Sequence, residues 1–439
     1  MKRIITIAVY SISAAALFYC ASIPGGGKPP KGRIGVVKCE NNVPVLYRYN
    51  KESGEVIEKG PVLLPEGETC KKAASKEEKI LLKMQRDGEW EKYYSGTKSV
   101  LERGSYRLSK KEGIFKYYTK SGELSKTVTY KAGEKDGEEI SYFPGTDDWR
   151  EKGANSNNEK SGPWQKRLAA NAECIEEGNY AKGEKSGPWT ECSQDSKTKK
   201  AYLSFKGSYQ SDLKNNASVT YNSEGIKTGE GQYRADIACK NDPGQPDKTK
   251  CEKKSGRWVY YHSNGNKSEE GSYSAQTGKK NGNWTEYYRS GEKMGTGSRE
   301  HTRRGSWTFY NKDGSILGRY VFEGTDNSIT AGDVYEKGRK IQESLPAKNC
   351  KKIVNRLGRE VTECENEAGG FGAALLNYDA DSDSLKVTLK MQRGAWALYN
   401  EQGQKIGEGS FLNGRKDGTW KELEGGRWVT KNYMMGKLK

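Results

Sequence analysis

The chain has 439 residues, only 33% of them hydrophobic, with 53 glycines and 75 Lys plus Arg against 58 Asp plus Glu, for a net charge of +17. So little apolar material excludes a large buried core, and most of it comes as rings (27 Tyr, 10 Trp, 8 Phe), which cover much area while keeping a polar edge for water. The two signs of charge interleave along the whole length, which reads as a solvated strand and turn surface, the sharper alternative being attraction to anionic lipid headgroups, acidic glycan or nucleic acid.

Lys2 and Arg3 precede an apolar run of 15 residues from Ile4 to Phe18, the size of a signal-peptide core and short for a spanning helix. No later segment reaches the length that a membrane helix needs. The run ends in Leu17-Phe18-Tyr19-Cys20-Ala21-Ser22, where a cysteine at the boundary can accept a diacylglycerol. These residues resemble the permissive lipobox of spirochaetal lipoproteins, with bulky Phe18 and Tyr19 where small residues are usual. The resemblance implies export, a lipid on Cys20 and contact with a bacterial membrane through that anchor. Ser22 in place of Asp favours the outer membrane, with the body periplasmic or surface-exposed. Residues 1–19 are then the signal peptide and 20–35, rich in Pro, Gly and Lys, a flexible tether.

The other eight cysteines fall into sequential pairs, Cys39/Cys70, Cys174/Cys192, Cys239/Cys251 and Cys350/Cys364, separated by 31, 18, 12 and 14 residues. An even count and loop-sized gaps suit disulfides in an oxidising compartment, with connectivity left open. A metal site would need clustered ligands, and His262 and His301 are the only histidines, so neither metal nor cofactor is expected. The same scarcity leaves little for a Ser/His/Asp or Cys/His site, and the scattered acids give no positive sign of a glycosidase pair. The expectation is a protein that is not an enzyme.

Residues 36–78 form an amino-terminal part holding the Cys39/Cys70 pair, and repeats follow. Gly-x-Trp-x-x-Tyr-x-x-x-Gly recurs in eleven frames, complete at Gly256, Gly282, Gly305 and Gly394, with relatives at Gly88, Gly113 and Gly137 and worn copies at Gly162, Gly187, Asn216 and Gly418. Starts lie 23 to 26 residues apart within each run, a period that means stacked supersecondary units. The aromatic run is a strand, tips such as Ser263-Asn264-Gly265 and Lys312-Asp313-Gly314 are turns, and Glu270-Gly271-Ser272-Tyr273 is a returning strand. Each unit is therefore a β-hairpin. Trp90, Phe115, Trp164, Trp189, Trp258, Trp284, Trp307, Trp396 and Trp420 form the repeat spine on which hairpins pack. The tyrosine three residues after each tryptophan should lie on the other face unless a bulge intervenes.

Repeats run over 79–323 and again over 391–439. Between Tyr233 and Gly256 an insertion holding Cys239, Pro243, Pro246 and Cys251 reads as a stapled surface loop. Residues 324–390 read as an insert or degenerate repeats, with the apolar stretch Phe371–Leu376. Asp379-Ala380-Asp381-Ser382-Asp383 resembles a calcium loop but has Ser384 and Lys390 where glycine and glutamate are wanted, so an exposed acidic turn is expected. Gly295-Thr296-Gly297 and Gly369-Gly370-Phe371-Gly372 are read as turns, not phosphate loops.

The frames from Gly88 to Lys439 resemble bacterial MORN-variant repeats. The resemblance implies an all-β fold, an elongated array of antiparallel hairpins, with roles in scaffolding, membrane association or protein binding and no chemistry of its own. The expected function is an envelope lipoprotein presenting its surface to a protein or acidic-glycan partner, nucleic acid being disfavoured and the oligomeric state open. The alternative is a basic, adhesin-like module for anionic glycan, lipid headgroups or host proteins. An envelope hydrolase, or an antitoxin of the kind that carries similar repeats in the cytosol, fits the signal segment and paired cysteines less well.

Overall fold

The computed structural model describes residues 34–74, 84–323, 328–346, 350–354, 360–363 and 367–439. Cys20, the signal segment, the tether as far as Arg33 and Cys364 lie outside the described residues. Among the described residues, apart from the short helices Cys70–Ala74 and Ile237–Asn241 and the 3-10 turn Lys248–Cys251, the regular structure is all strand. Among the described residues no helix is long and apolar enough to cross a membrane. The chain divides into two units, one ending at Leu124 and taking back Tyr130–Gly133, the other holding Ser125–Thr129 and Glu134–Lys439.

In the first unit the strands Gly35–Glu40, Val43–Tyr49, Val56–Pro61, Gly88–Tyr93, Val100–Arg107 and Lys110–Tyr118 pair antiparallel, each with its neighbours in sequence. Val37, Leu46, Val62, Ala73, Met84, Trp90, Tyr106 and Phe115 make its core. In the second unit the same sequential pairing leads to Arg339–Ser344. There Ser384–Tyr399 takes the next place, with Gln342 opposite Leu398 and Ser344 opposite Trp396. Its amino-terminal half pairs with Gly370–Asp379 as a separate hairpin. Lys405–Leu412, Arg415–Glu424, Arg427–Met434 and Lys437–Leu438 complete the sheet.

The frame glycines mark β-bulges. On its far side the frame strand is in register, with Gly256, Arg257 and Trp258 opposite Tyr273, Ser272 and Gly271. On its near side the register breaks: Gly271 faces Trp284, but Ser272 faces Asn281, so Gly282 and Asn283 are extra. The same break separates the pairs Gly297/Trp307 and Ser298/Arg304. A bulge of this kind turns its first residue into the left-handed region, and Gly282 has φ +72°. Asn216, the frame residue that is not glycine, has φ +63°, a conformation asparagine tolerates better than most side chains. A second register shift falls just before the tyrosine, as between Tyr260 and Tyr261, but its extra residue, Ser268, belongs to the partner strand, so alternation along the frame strand still places Trp and Tyr on opposite faces.

Two glycine-rich segments are strands where turns were expected. Gly295-Thr296-Gly297 lies inside Lys293–Glu300, and Gly370 opens Gly370–Asp379. The glycines at 295 and 297 leave room for rings from the neighbouring strand: a Cβ on either would lie 2.7 and 2.4 Å from Phe309 and Trp307.

Cys39–Cys70, Cys174–Cys192 and Cys239–Cys251 are disulfides with Cα separations of 5.7, 6.0 and 5.5 Å, and Cys350 is also disulfide-bonded. Closing loops of this size removes chain entropy worth about 3 kcal/mol each. Reductant should therefore lower the thermal midpoint while alkylation mass spectrometry counts the freed thiols. An unchanged midpoint with thiols exposed would refute that contribution.

Candidate interaction faces

The tryptophan face is built from a seat and a ring. The glycine of each returning strand lies beneath the tryptophan of the next frame: a Cβ on Gly178, Gly231, Gly271 or Gly409 would come within 2.2 to 2.4 Å of Trp189, Trp258, Trp284 or Trp420. The indole N–H then donates to the carbonyl just after the seat, beside the bulge where the ladder is out of register. Trp258 reaches Gln232 O at 3.0 Å, Trp284 reaches Ser272 O at 3.2 Å, Trp307 reaches Ser298 O at 2.7 Å and Trp420 reaches Ser410 O at 2.8 Å. Trp90, Trp164 and Trp189 do the same to Pro61, Ala154 and Asn179. Trp396 has Ser344 opposite it instead of a seat glycine, and it donates to Arg393 O. Phe115 sits on Gly104 with no donor to offer.

The spine alternates tryptophan with a ring of the returning strand. Tyr180 packs edge-on between Trp164 and Trp189 at 5.9 and 5.2 Å, Tyr273 between Trp258 and Trp284 at 6.0 and 5.5 Å, and Phe411 between Trp396 and Trp420 at 6.5 and 5.0 Å. Over the rings sits a row of cations: Lys160, Lys185, Lys254 and Lys280 lie 4.0, 4.4, 4.4 and 4.3 Å from the tryptophans of their own frames. Carboxylates hold several of them, as Glu191 holds Lys185 at 2.5 Å and Glu151 holds Lys160. Burial lowers the pKa of Lys254, helped by Lys280 and Lys214, and Lys254 donates to the Tyr260 hydroxyl at 2.6 Å. Rings, cations and acids here satisfy one another.

The reverse face carries a second ladder. The Tyr287 hydroxyl donates to Glu270, which also binds Arg257 at 2.6 Å and Lys267 at 3.2 Å. Tyr261 does the same to Glu230, which Lys227 holds at 2.9 Å, and Tyr399 reaches Glu343 at 2.6 Å beside Lys340. Hydrogen bonds from Tyr287 and Arg257 pull Glu270 down to about 2, while burial and then Glu270 push Tyr287 up to about 12. Arg257 leaves 70% of its side chain exposed. An open concavity of about 740 Å³ over the Gly-Pro-Trp frames is lined by Pro163, Trp164, Pro188, Trp189, Gln165 and Glu177, among others.

The hairpin Gly370–Asp379 with Ser384–Tyr399 lies against the tryptophan face, Leu376, Leu385 and Val387 packing on the cluster of Trp284, Trp307, Phe309, Tyr320 and Phe322. Its tip is the exposed acidic turn expected over Asp379–Ser382, but Asp383 at its end is tied down. Asp383 accepts from the backbone N–H of Arg289 at 2.7 Å and of Ser290 at 3.0 Å, from the Tyr378 hydroxyl at 2.7 Å, and from Lys312 at 2.7 Å. The sequence pattern missed this because these partners, apart from Tyr378, are about 70 to 95 positions upstream. Among the described residues no group of acids is arranged to hold a metal ion.

Burial opposes ionisation of Asp383, but Lys312, Ser290, Tyr378 and the Arg289 N–H outweigh it and hold the carboxyl below its usual range. A depressed carboxylate contributes fully above its unfolded value of about 3.9 and is lost as pH falls through the folded one. Acidification below about pH 4 should thus lower the protection of amides over Gly370–Tyr399 relative to their intrinsic exchange rates. Asp383→Asn should show the faster exchange already at neutral pH. Exchange in the variant identical to that of the unaltered chain would refute the clasp.

No family model matches this chain, and no curated protein matches it significantly. Among solved structures it is similar to a chain of the crystal structure of TcdB2-TccC3-Cdc42, at 9% identity and TM-score 0.15, over 88% of this chain and 20% of that one. It is also similar to a chain of a Photorhabdus luminescens Tc holotoxin pore, at 12% identity and TM-score 0.15, over 91% of this chain and 23% of that one. This chain spans less than a quarter of either, and likeness at that level carries no argument about fold or function. What stands on the chain's own geometry is an all-β array of sequential antiparallel hairpins with disulfides, the latter a mark of an extracytoplasmic protein.

Proposed function

We propose that this is a non-enzymatic envelope lipoprotein of the MORN-variant type, anchored through Cys20, spaced by residues 20–35, and working by presenting its repeat faces to a protein partner. The observation that carries the reading is the reverse-face ladder. Glu230 and Glu270 each bind a tyrosine and a lysine in the same arrangement, one repeat apart, giving a regular polar surface with exposed tips such as Arg257. The tryptophan face, by contrast, spends its rings and cations on internal packing. Two experiments test the parts separately. Cells fed labelled fatty acid should label the protein, and Cys20→Ala should abolish the label; a labelled variant would overturn the anchor. A photo-crosslinking residue at Arg257 should trap a discrete adduct in intact cells, and an absence of any adduct there, with expression normal, would overturn the presenting face.

A further inference from the structure

Ten large hydrophobic side chains are exposed among the described residues, and six of them, Leu412, Trp428, Val429, Met434, Met435 and Leu438, fall between positions 412 and 438. Trp428 is 50% and Met434 57% exposed, whereas no tryptophan of the spine exceeds 6%. Trp428 faces Leu423 across the ladder, and Met434 faces Lys437. Alternation places Trp428, Thr430 and Met434 on one face, with Lys421 opposite Thr430.

The charges at this end are lopsided. Glu422 and Glu424 are taken up by Lys416 and Lys431, and Asp417 accepts the Met435 N–H at 3.0 Å. Arg415, Lys421, Arg427 and Lys437 are all exposed, and no ion pair joins any of them to a carboxylate among the described residues. The surface is therefore apolar and cationic together. Trp396 faces Gly409, but Trp420 faces Lys431, so this end does not repeat the glycine seat. A second copy would bring like charges together.

We propose that this carboxyl-terminal hairpin is a membrane contact for an anionic bilayer surface, with Trp428 and Met434 entering the boundary between headgroups and acyl chains and Lys421 and Lys437, which share their face, meeting the lipid phosphates. The proposal rests on the envelope placement but not on the lipid at Cys20.

The test mixes the full chain with vesicles carrying brominated acyl chains, at the same lipid concentration in every arm. Trp428-dependent quenching is the fluorescence quenched in the unaltered chain minus that in Trp428→Phe. It should occur in vesicles containing phosphatidylglycerol and be absent from phosphatidylcholine alone. Lys421→Gln and Lys437→Gln should each lower the bound-to-free ratio about fivefold; both residues are exposed and no ion pair joins either to a carboxylate among the described residues, so both variants should fold. Absence of Trp428-dependent quenching in the anionic vesicles, or equal quenching in neutral ones, overturns the proposal. Competition of the cationic patch by soluble polyaspartate without such quenching would assign it to an acidic protein instead, which also overturns it. None of these outcomes touches the fatty-acid label on Cys20, so the two readings fail separately.

Discussion

Gly271→Ala should destabilise its repeats by about 3 kcal/mol, although it adds a single methyl group. The Cβ would lie 2.2 Å from the Trp284 ring, too close for any van der Waals contact, and the ring has no empty space to enter because Tyr273 packs on its edge at 5.5 Å. Relief requires the indole to lift and surrender its bond to Ser272 O. Gly282→Ala, eleven positions away, is the contrast. Nothing lies within 4 Å of its Cβ, and its cost is confined to a φ of +72°, about 1–2 kcal/mol for a side chain in the left-handed region. Because repeat arrays need not unfold in one step, the comparison belongs to hydrogen exchange of the strands Lys267–Tyr273 and Lys280–Tyr287. Equal effects of the two substitutions would contradict the seat.

Trp284→Ala should cost about 3–5 kcal/mol, the range for deleting a large buried aromatic side chain. Trp284 is 1% exposed, and its loss would leave a void beneath Lys280, unbridge Tyr273 and strip a donor from Ser272. Trp284→Phe separates those contributions. It retains a ring on the seat and fails only at the indole N–H, so it should cost about 1–3 kcal/mol, the penalty for a buried acceptor left unpaired. Denaturant titration read by exchange in the same two strands distinguishes the pair, and a phenylalanine variant as damaged as the alanine one would show that the hydrogen bond, not the packing, dominates.

The period of the hairpins and the tryptophan frame are legible in the sequence because glycine, tryptophan and tyrosine recur at fixed spacing. The role of the returning glycine is not, since Gly271 reads only as one more position of a returning strand until the next strand lays Trp284 across it. The cation row was there to be found: Lys160-x-Gly162, Lys185-x-Gly187, Lys254-x-Gly256, Lys280-x-Gly282 and Lys416-x-Gly418 extend the frame by two residues to Lys-x-Gly-x-Trp. It hid among 75 basic residues, where a lysine in a strand reads as solvated. Strict alternation would also place that lysine two strand positions from the frame glycine without bringing it over the ring; the bulge does that, and a bulge leaves no mark except the glycine. Likewise the tyrosines of the returning strands complete the spine because each sits two residues past a seat, a relation visible only once the register is known. Asp383 lies beyond any local pattern: its partners Arg289, Ser290 and Lys312 belong to turns of other hairpins, and sequence distance of that size leaves no periodic trace.

The most direct test of the interlocked column is the exchange of indole N–H protons with deuterium, followed by nuclear magnetic resonance of perdeuterated protein with protonated tryptophan side chains. Slow exchange is expected for Trp90, Trp164, Trp189, Trp258, Trp284, Trp307 and Trp420, whose indoles bind backbone carbonyls across the bulges, and fast exchange for Trp428, which stands half-exposed. If those seven signals vanish as quickly as that of Trp428, the rings do not lock one hairpin to the next.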